Sequence, residues 1–236
     1  MSANANAVQG HKAIRSSTWE SALPAEMPDR AVDQWNPEDF AREQILSLVR
    51  RVFFANGDRP AKQVVFSAVE RNIDVLSICD RVAKALAKQT IEHVALVDGD
   101  YGPVEETCMR PSSLRSTSIK SRSTRIAVNL WRVPRAVIGE VNHGSGTGLH
   151  WLRLLEELRK EFEFVVIQGP AAGTSSESAL LGQLTDGIIL VLDARSTRRA
   201  AARKAKETLD AAQCRMLGTV LTHRMFPIPE RIYRRL

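Results

Sequence analysis

The sequence predicts an α/β protein with a doubly wound, mostly parallel sheet flanked by helices. Short aliphatic runs rich in Val and Ile, typical of strands buried on both faces of a parallel sheet, lie at 64–67, 93–98, 163–168, 187–193 and 216–222. Segments with helical apolar spacing alternate with them, at 73–89, 148–161, 175–184 and 196–212. Such alternation implies right-handed crossovers, and ligands of such sheets bind beyond the carboxyl ends of the strands.

The rest of the chain suggests how these elements are organised. Residues 1–36 are polar and poor in aliphatics, which predicts a disordered or loosely attached arm without the apolar core of a secretory signal. Asn36 and Pro37 are a suitable N-cap and first residue for an amphipathic helix. Residues 37–236 then form a single domain, interrupted by a variable Ser/Arg-rich loop at about 102–147. Within that loop, "IAVNLWRVP" is a candidate short strand.

Charge and composition restrict the classes of partner. The net charge is +6, and no apolar run reaches the 18 residues of a membrane span. Residues 107–139 carry seven Lys and Arg without an acid, and residues 195–236 carry eleven against three acids. Such surfaces favour anionic partners, although a solvated surface without a dedicated ligand is an equal alternative. The three cysteines have no metal-ligand spacing and are expected to be reduced thiols.

Polar residues follow two of the predicted strands. "VALVDGDYG" places Asp98 and Asp100 at a strand end, where carboxylates can hold Mg²⁺ or simply form a turn. "FEFVVIQGP" places Gln168 at a second strand end, and a neutral amide is a poor ligand for a hard dication. The second position therefore weakens a metal function at this edge.

The stretch "SAVERNIDVLS" joins the first strand to its helix, where a glycine-rich phosphate loop would lie. A phosphate loop needs bare backbone amides and a lysine, yet residues 67–80 contain neither glycine nor lysine. The residues present are Glu70, Arg71, Asn72, Asp74 and Ser77, of which two are acids that would repel a triphosphate. The later loop "NHGSGTG" lacks a preceding strand and a following lysine, so a flexible linker is the better interpretation.

Four stretches of the sequence resemble the bacterial tyrosine kinase family. They are "EQILSLVRRVFFANGDRPAKQVVFSA", "KALAKQTIEHVALVDGDYGP", "EFEFVVIQGP" and "LTDGIILVLDARSTRRAAARKAKETLDAAQCRMLGTVLTHRMF". The resemblance covers about residues 38–236 and implies a phosphate-loop NTPase-like fold, related to the ParA and MinD ATPases. It also implies a place in capsular or exopolysaccharide biosynthesis or export.

The departures from that family concern its phosphate chemistry. The span Val69–Ser77 has no counterpart of Gly-Lys-Ser/Thr, so its polar residues would form a degenerate phosphate loop. Asp98 and Asp100 match the second family motif, whereas Gln168 replaces the acid of the third, which leaves a vestigial metal and nucleotide site. Tyr233 is the candidate phospho-acceptor where the family carries a tyrosine cluster.

These features predict a degenerate, non-catalytic cytoplasmic regulator or scaffold in polysaccharide synthesis or export, with no cofactor and no metal. The expected partner is a membrane polysaccharide co-polymerase or export protein, or a second copy, and peripheral contact with the inner membrane is compatible with this. One alternative is an active ATPase or tyrosine autokinase that uses ATP and Mg²⁺. Another is a basic module for nucleic acid or anionic membrane. Nucleic acid is disfavoured because no base-reading motif is present and aromatic residues make up only 6%.

Overall fold

The computed structural model describes residues 36–54, 60–99, 118–134, 137 and 147–223. The predictions for residues 1–35, for Asp100 and for Tyr233 lie outside these residues. Five α-helices are described: α1 (Pro37–Phe53), α2 (Val75–Ala87), α3 (Thr147–Glu161), α4 (Glu177–Leu184) and α5 (Arg199–Ala211). The strands are β1 (Gln63–Ala68), β2 (Val94–Asp98), β3 (Thr124–Ala127), β4 (Leu130–Val133), β5 (Phe164–Gln168), β6 (Gly187–Asp193) and β7 (Met216–Thr222).

The seven strands form one sheet in the order β3-β4-β2-β5-β1-β6-β7. All neighbouring pairs are parallel except β3 with β4, which is antiparallel. Because the strands that follow β1 lie on both sides of it, β5 and β2 on one side and β6 and β7 on the other, the sheet is doubly wound, and the predicted fold class is confirmed. In the described part of the chain, no helix has the length and apolar character needed to cross a membrane.

The two faces of the sheet bury separate cores. Alternating strand residues such as Phe66, Leu96 and Val166 face α1 and α2. Their neighbours in the same strands, Val65, Val97 and Ile167, face α3, α4 and α5. All six side chains have no solvent exposure. Continuous aliphatic strands are what a sheet covered on both faces requires, because each successive side chain must be buried.

The segment predicted as a variable loop over 102–147 is more regular than expected in its described part. Residues 120–122 form a 3-10 turn, and β3 and β4 form a hairpin at the sheet edge. The Asn129 side-chain amide donates to the carbonyls of Ala87, Thr90 and Glu92, at 3.0, 2.8 and 3.1 Å, and so ties the hairpin to the turn after α2.

Glu161, the last residue of α3, anchors the start of this segment. Its carboxylate accepts hydrogen bonds from the Ser118 hydroxyl at 2.6 Å, the Ile119 N–H at 2.9 Å and the Lys120 N–H at 2.7 Å. Partial burial raises the pKa of Glu161, but these hydrogen bonds and the Lys120 charge outweigh burial, so the pKa lies below its ordinary value.

Substitution of Glu161 by Gln is expected to cost about 1 kcal/mol at neutral pH, because a charge-assisted acceptor is lost from a partly exposed site. A depressed folded-state pKa gives stability that is present above the unfolded pKa, about 4.3, and is lost as pH falls through the folded value. Urea unfolding from neutral pH to acid should show wild type and variant converging. Glu156→Gln, on an exposed part of the same helix, is the control. A constant gap at all pH values would contradict this role.

Candidate phosphate-loop site

The carboxyl ends of three adjacent strands bring two predicted site residues together. Asp98 pairs in register with Gln168, and Gln168 in turn pairs with Phe66 of β1. The Gly99 N–H donates to the Gln168 carbonyl at 2.9 Å, which continues the pairing beyond the strands. The Gln168 Oε1 atom is buried and has no hydrogen-bond partner among the described residues. The predicted vestigial pair therefore lies side by side at this edge.

Trp151 of α3 packs behind that edge. Its side chain has no solvent exposure, and its indole N–H donates to Glu177 of α4 at 2.6 Å. A Cβ atom added to Gly99 would lie 2.9 Å from the Trp151 ring and 2.7 Å from the Gln168 carbonyl oxygen. Only glycine fits between the ring and β5 here, and this close packing fixes the backbone next to Asp98.

The loop after β1 is closed by its own apolar side chains. Val69 and Ile73 are buried, with 1% and 8% exposure, and they pack into the cores on opposite faces of the sheet. The Val69 N–H donates to Val191 of β6 at 3.2 Å. Between the two anchors, Glu70 is half-buried, and Arg71 and Asn72 are exposed. The loop is held against the two cores by its buried side chains, whereas the backbone amides of a phosphate loop surround an anion.

Asp74 caps the helix that a phosphate would otherwise approach. It is the N-cap residue of α2, and its Oδ1 accepts from the Ser77 N–H at 3.0 Å. The Val75 N–H donates to the Ile73 carbonyl at 2.9 Å, so the loop satisfies a second amide. The carboxylate stands where an anionic oxygen of a ligand would stand, because both accept from the free amides at a helix N-terminus.

Substitution of Asp74 by Ala is expected to lower the free energy of unfolding by about 1 kcal/mol, because the N-cap hydrogen bond is lost. Asp74→Asn should lie within a few tenths of wild type, since asparagine caps as well as aspartate. Chemical denaturation of the three proteins measures this. If both variants lost the same amount, the charge rather than the cap would be responsible.

The turn after β5 is locked onto the loop after β1. The hydroxyls of Ser67 and Ser178 both donate to the Pro170 carbonyl at 2.5 Å, and all three residues are buried. The Gly173 N–H donates to the Val69 carbonyl at 3.1 Å. A Cβ atom at Gly173 would lie 2.4 Å from that same oxygen, so the two loops are in direct backbone contact. This contact fixes Val69 from the side of α4.

Cys79 reports on the electrostatics of the site, and it was missed by sequence reasoning. It is fully buried on α2, and burial, then the charges of Asp98 and Asp74, raise the pKa of its thiol well above the ordinary value. Carboxylates therefore make the potential near this helix start negative. The signal for its placement was present in the helical spacing of Val75, Cys79 and Val82.

The residues present do not fit a magnesium nucleotide. Within the described ranges, no group of three or more His, Cys, Asp or Glu side chains is placed to hold a metal ion. The candidate donors at the ends of β2 and β5 are the Asp98 carboxylate and the Gln168 amide, whereas the Asp193 carboxylate at the end of β6 pairs with His223. No lysine lies between β1 and α2 to neutralise phosphates, and the loop contains no glycine that would let its backbone approach them closely.

Comparison with known proteins adds sequence relatives to this picture. The chain is 23% identical over 205 residues to tyrosine-protein kinase YwqD of Bacillus subtilis, covering 83% of this chain and 86% of the relative. It is 29% identical over 69 residues to tyrosine-protein kinase CpsD of Streptococcus agalactiae, which is 29% of this chain and 30% of the relative. No family model matches the chain.

The chain is a relative of the bacterial tyrosine kinases. The predicted resemblance is thus confirmed, and solved structures agree in fold. The chimerical protein CapA2B2 superposes with a TM-score of 0.59 at 18% identity, covering 76% of this chain and 83% of that one. The kinase domain of VpsO gives a TM-score of 0.58 at 19% identity, with 80% and 98% covered. MinD of Aquifex aeolicus gives 0.51 at 14% identity, with 74% and 73% covered.

Proposed function

We propose that this relative of the bacterial tyrosine kinases is non-catalytic and does not bind ATP. The observation that carries the proposal is the loop between β1 and α2. Val69 and Ile73 fill it from both cores, and the Asp74 carboxylate occupies an amide of the helix start. An intramolecular anion there competes with any phosphate for the same donor and repels it through its charge.

The retained fold then serves protein contacts. The similarity to relatives named tyrosine-protein kinases supports a role in the same process. In this proposal the chain is a cytoplasmic regulator or scaffold of capsular or exopolysaccharide synthesis or export. Its partner is a membrane polysaccharide co-polymerase or export protein, or a second copy of the chain. The contacts between the loop after β1 and the turn after β5 support a binding role. These two segments are held together by hydrogen bonds although they lack the residues for phosphate chemistry.

A second candidate function is an active ATPase or autokinase. One observation favours it: the Asp98 carboxylate is kept at the end of β2, where a magnesium-binding acid would stand. In this alternative, Asp98 and Asp100 hold Mg²⁺, and Tyr233 accepts the phosphoryl group.

Incubation with γ-labelled ATP and Mg²⁺ separates the two functions. We expect equal, background-level labelling and phosphate release for wild type, Asp98→Ala and the exposed control Glu156→Ala. Wild-type labelling well above background that is lost in Asp98→Ala and kept in Glu156→Ala would overturn the proposal in favour of the enzyme.

A further inference from the structure

A dense basic surface lies on the first two turns of α5 and on the turn before it. We call it the α5 basic surface. All six of its cationic side chains are exposed, and no acidic residue interrupts them before Glu207. It consists of Arg195, Arg198, Arg199, Arg203, Lys204 and Lys206.

The helix spacing gives this surface a direction. Arg199, Arg203 and Lys206 follow one another at intervals of four and three residues, so they form one stripe about 10 Å long. Ala205 and Leu209, about a quarter-turn round the helix from this stripe, are buried in the core, each with 1% exposure. The stripe is therefore exposed to solvent along the first two turns of α5.

These cations receive little compensation from the protein itself. Lys206 pairs with Asp210, but the other five form no ion pair with any residue that the structure describes. The start of α5 has no acid in its first turn, and its N-cap residue, Arg198, makes no side-chain capping bond. Cations at the positive end of a helix dipole are unfavourable for stability. This arrangement of cations lowers the stability of the isolated protein, and an anionic partner would compensate their charge.

We propose that the α5 basic surface adsorbs to a membrane that contains anionic lipid. Clusters of four to eight Lys and Arg on an amphipathic helix are typical of binding to anionic headgroups. Contact with a headgroup layer needs only an exposed, convex row of charges, and α5 provides one. Residues 194–223 contain no Phe, Trp or Tyr for stacking on bases, which disfavours single-stranded nucleic acid. The proposal for this surface does not depend on the proposed function.

Flotation of the full chain with vesicles tests the proposal. We expect wild type to bind vesicles of phosphatidylglycerol with phosphatidylcholine, and not vesicles of phosphatidylcholine alone. Binding should fall steeply from about 0.1 M to about 1 M salt, as the Debye length shortens from about 10 Å to about 3 Å. Each neutralised cation should lower the partition coefficient about fivefold, so the triple variant Arg199→Gln, Arg203→Gln, Lys206→Gln should lose about 100-fold.

A control variant with the same net charge shows whether binding depends on the α5 basic surface or only on the net charge of the protein. The variant Arg81→Gln, Lys88→Gln, Arg153→Gln removes three exposed cations elsewhere and should stay within about threefold of wild type. Thermal unfolding checks that both variants are folded. If the triple variant does not fold, the single variant Arg203→Gln and the salt series on wild type replace it.

Three results would overturn the proposal. One is the absence of wild-type binding to anionic vesicles at low salt. Another is an equal loss in the control variant. The third is retention of a random-sequence DNA duplex through Arg199, Arg203 and Lys206 without vesicle binding, which would assign the surface to nucleic acid.

Discussion

Replacement of Trp151 by alanine is expected to lower the free energy of unfolding by about 3–5 kcal/mol. The side chain has no exposure, lies in the core between α3 and the sheet, and is the largest fully buried side chain among the described residues. Its removal leaves a cavity beside Gly99 and takes the indole donor from Glu177, whose carboxylate is half-buried. Cavity formation and an unsatisfied carboxylate act in the same direction.

Two further variants separate these contributions. Leu152 is the next residue of α3 and is 40% exposed, so Leu152→Ala should stay within about 0.5 kcal/mol of wild type. Trp151→Phe keeps most of the volume and loses the indole donor, so its cost should fall between the other two. Urea denaturation of all four proteins is the measurement. Comparable losses for Trp151→Ala and Leu152→Ala would show that this packing is not what stabilises the region.

The strands of the parallel sheet were predictable because each is a continuous aliphatic run. The bounds of β6 and β7 agree with the prediction, β2 and β5 each begin one residue later than predicted, and β1 is one residue longer at both ends. In a strand that is buried on both faces nearly every residue is apolar, so the ends of the apolar run mark the ends of the strand. The adjacency of Asp98 and Gln168 was predictable for a related reason: carboxyl ends of parallel strands meet at one edge.

In the hairpin of β3 and β4, the candidate strand "IAVNLWRVP" contains β4, but β3 was not predicted. Thr124–Ala127 is exposed along its whole length, so burial left no pattern in its sequence. The position of the hairpin depends on partners distant in sequence. These are the Glu161 carboxylate for the preceding turn and, for the hairpin itself, the carbonyls of Ala87, Thr90 and Glu92, which accept from the Asn129 amide. Long-range polar contacts of this kind have no local sequence signal.

The site, too, contains features that the sequence predicted and features that it did not. Glu70 and Asp74 were predicted to repel a phosphate, but the capping role of Asp74 was missed, although an acid three residues before Ser77 fits an N-cap. Helix α2 begins at Val75, two residues later than predicted, because Asp74 ends the loop as its cap. Burial of Val69 and Ile73 could not be predicted, since it depends on which face of the sheet each one meets.

Loss of ATP binding is the second large effect that the structure predicts. A phosphate loop gains affinity from a lysine and from the free amides at the helix start; the lysine is absent between β1 and α2, and the N–H groups of Val75 and Ser77 already have acceptors within the chain. A unit charge about 4 Å from a phosphate is worth up to about 4 kcal/mol in a surface-like dielectric, on the order of a thousandfold in affinity. The Asp74 carboxylate adds repulsion where the lysine charge would add attraction.

Isothermal titration of the full chain with ATP, with and without Mg²⁺, tests this claim most directly. Tyrosine-protein kinase YwqD, measured in parallel, shows that the assay detects nucleotide. We expect no saturable binding with a Kd below about 1 mM for this chain, in either condition. A micromolar, Mg²⁺-dependent Kd for the wild-type chain would contradict the account of a closed, self-capped loop.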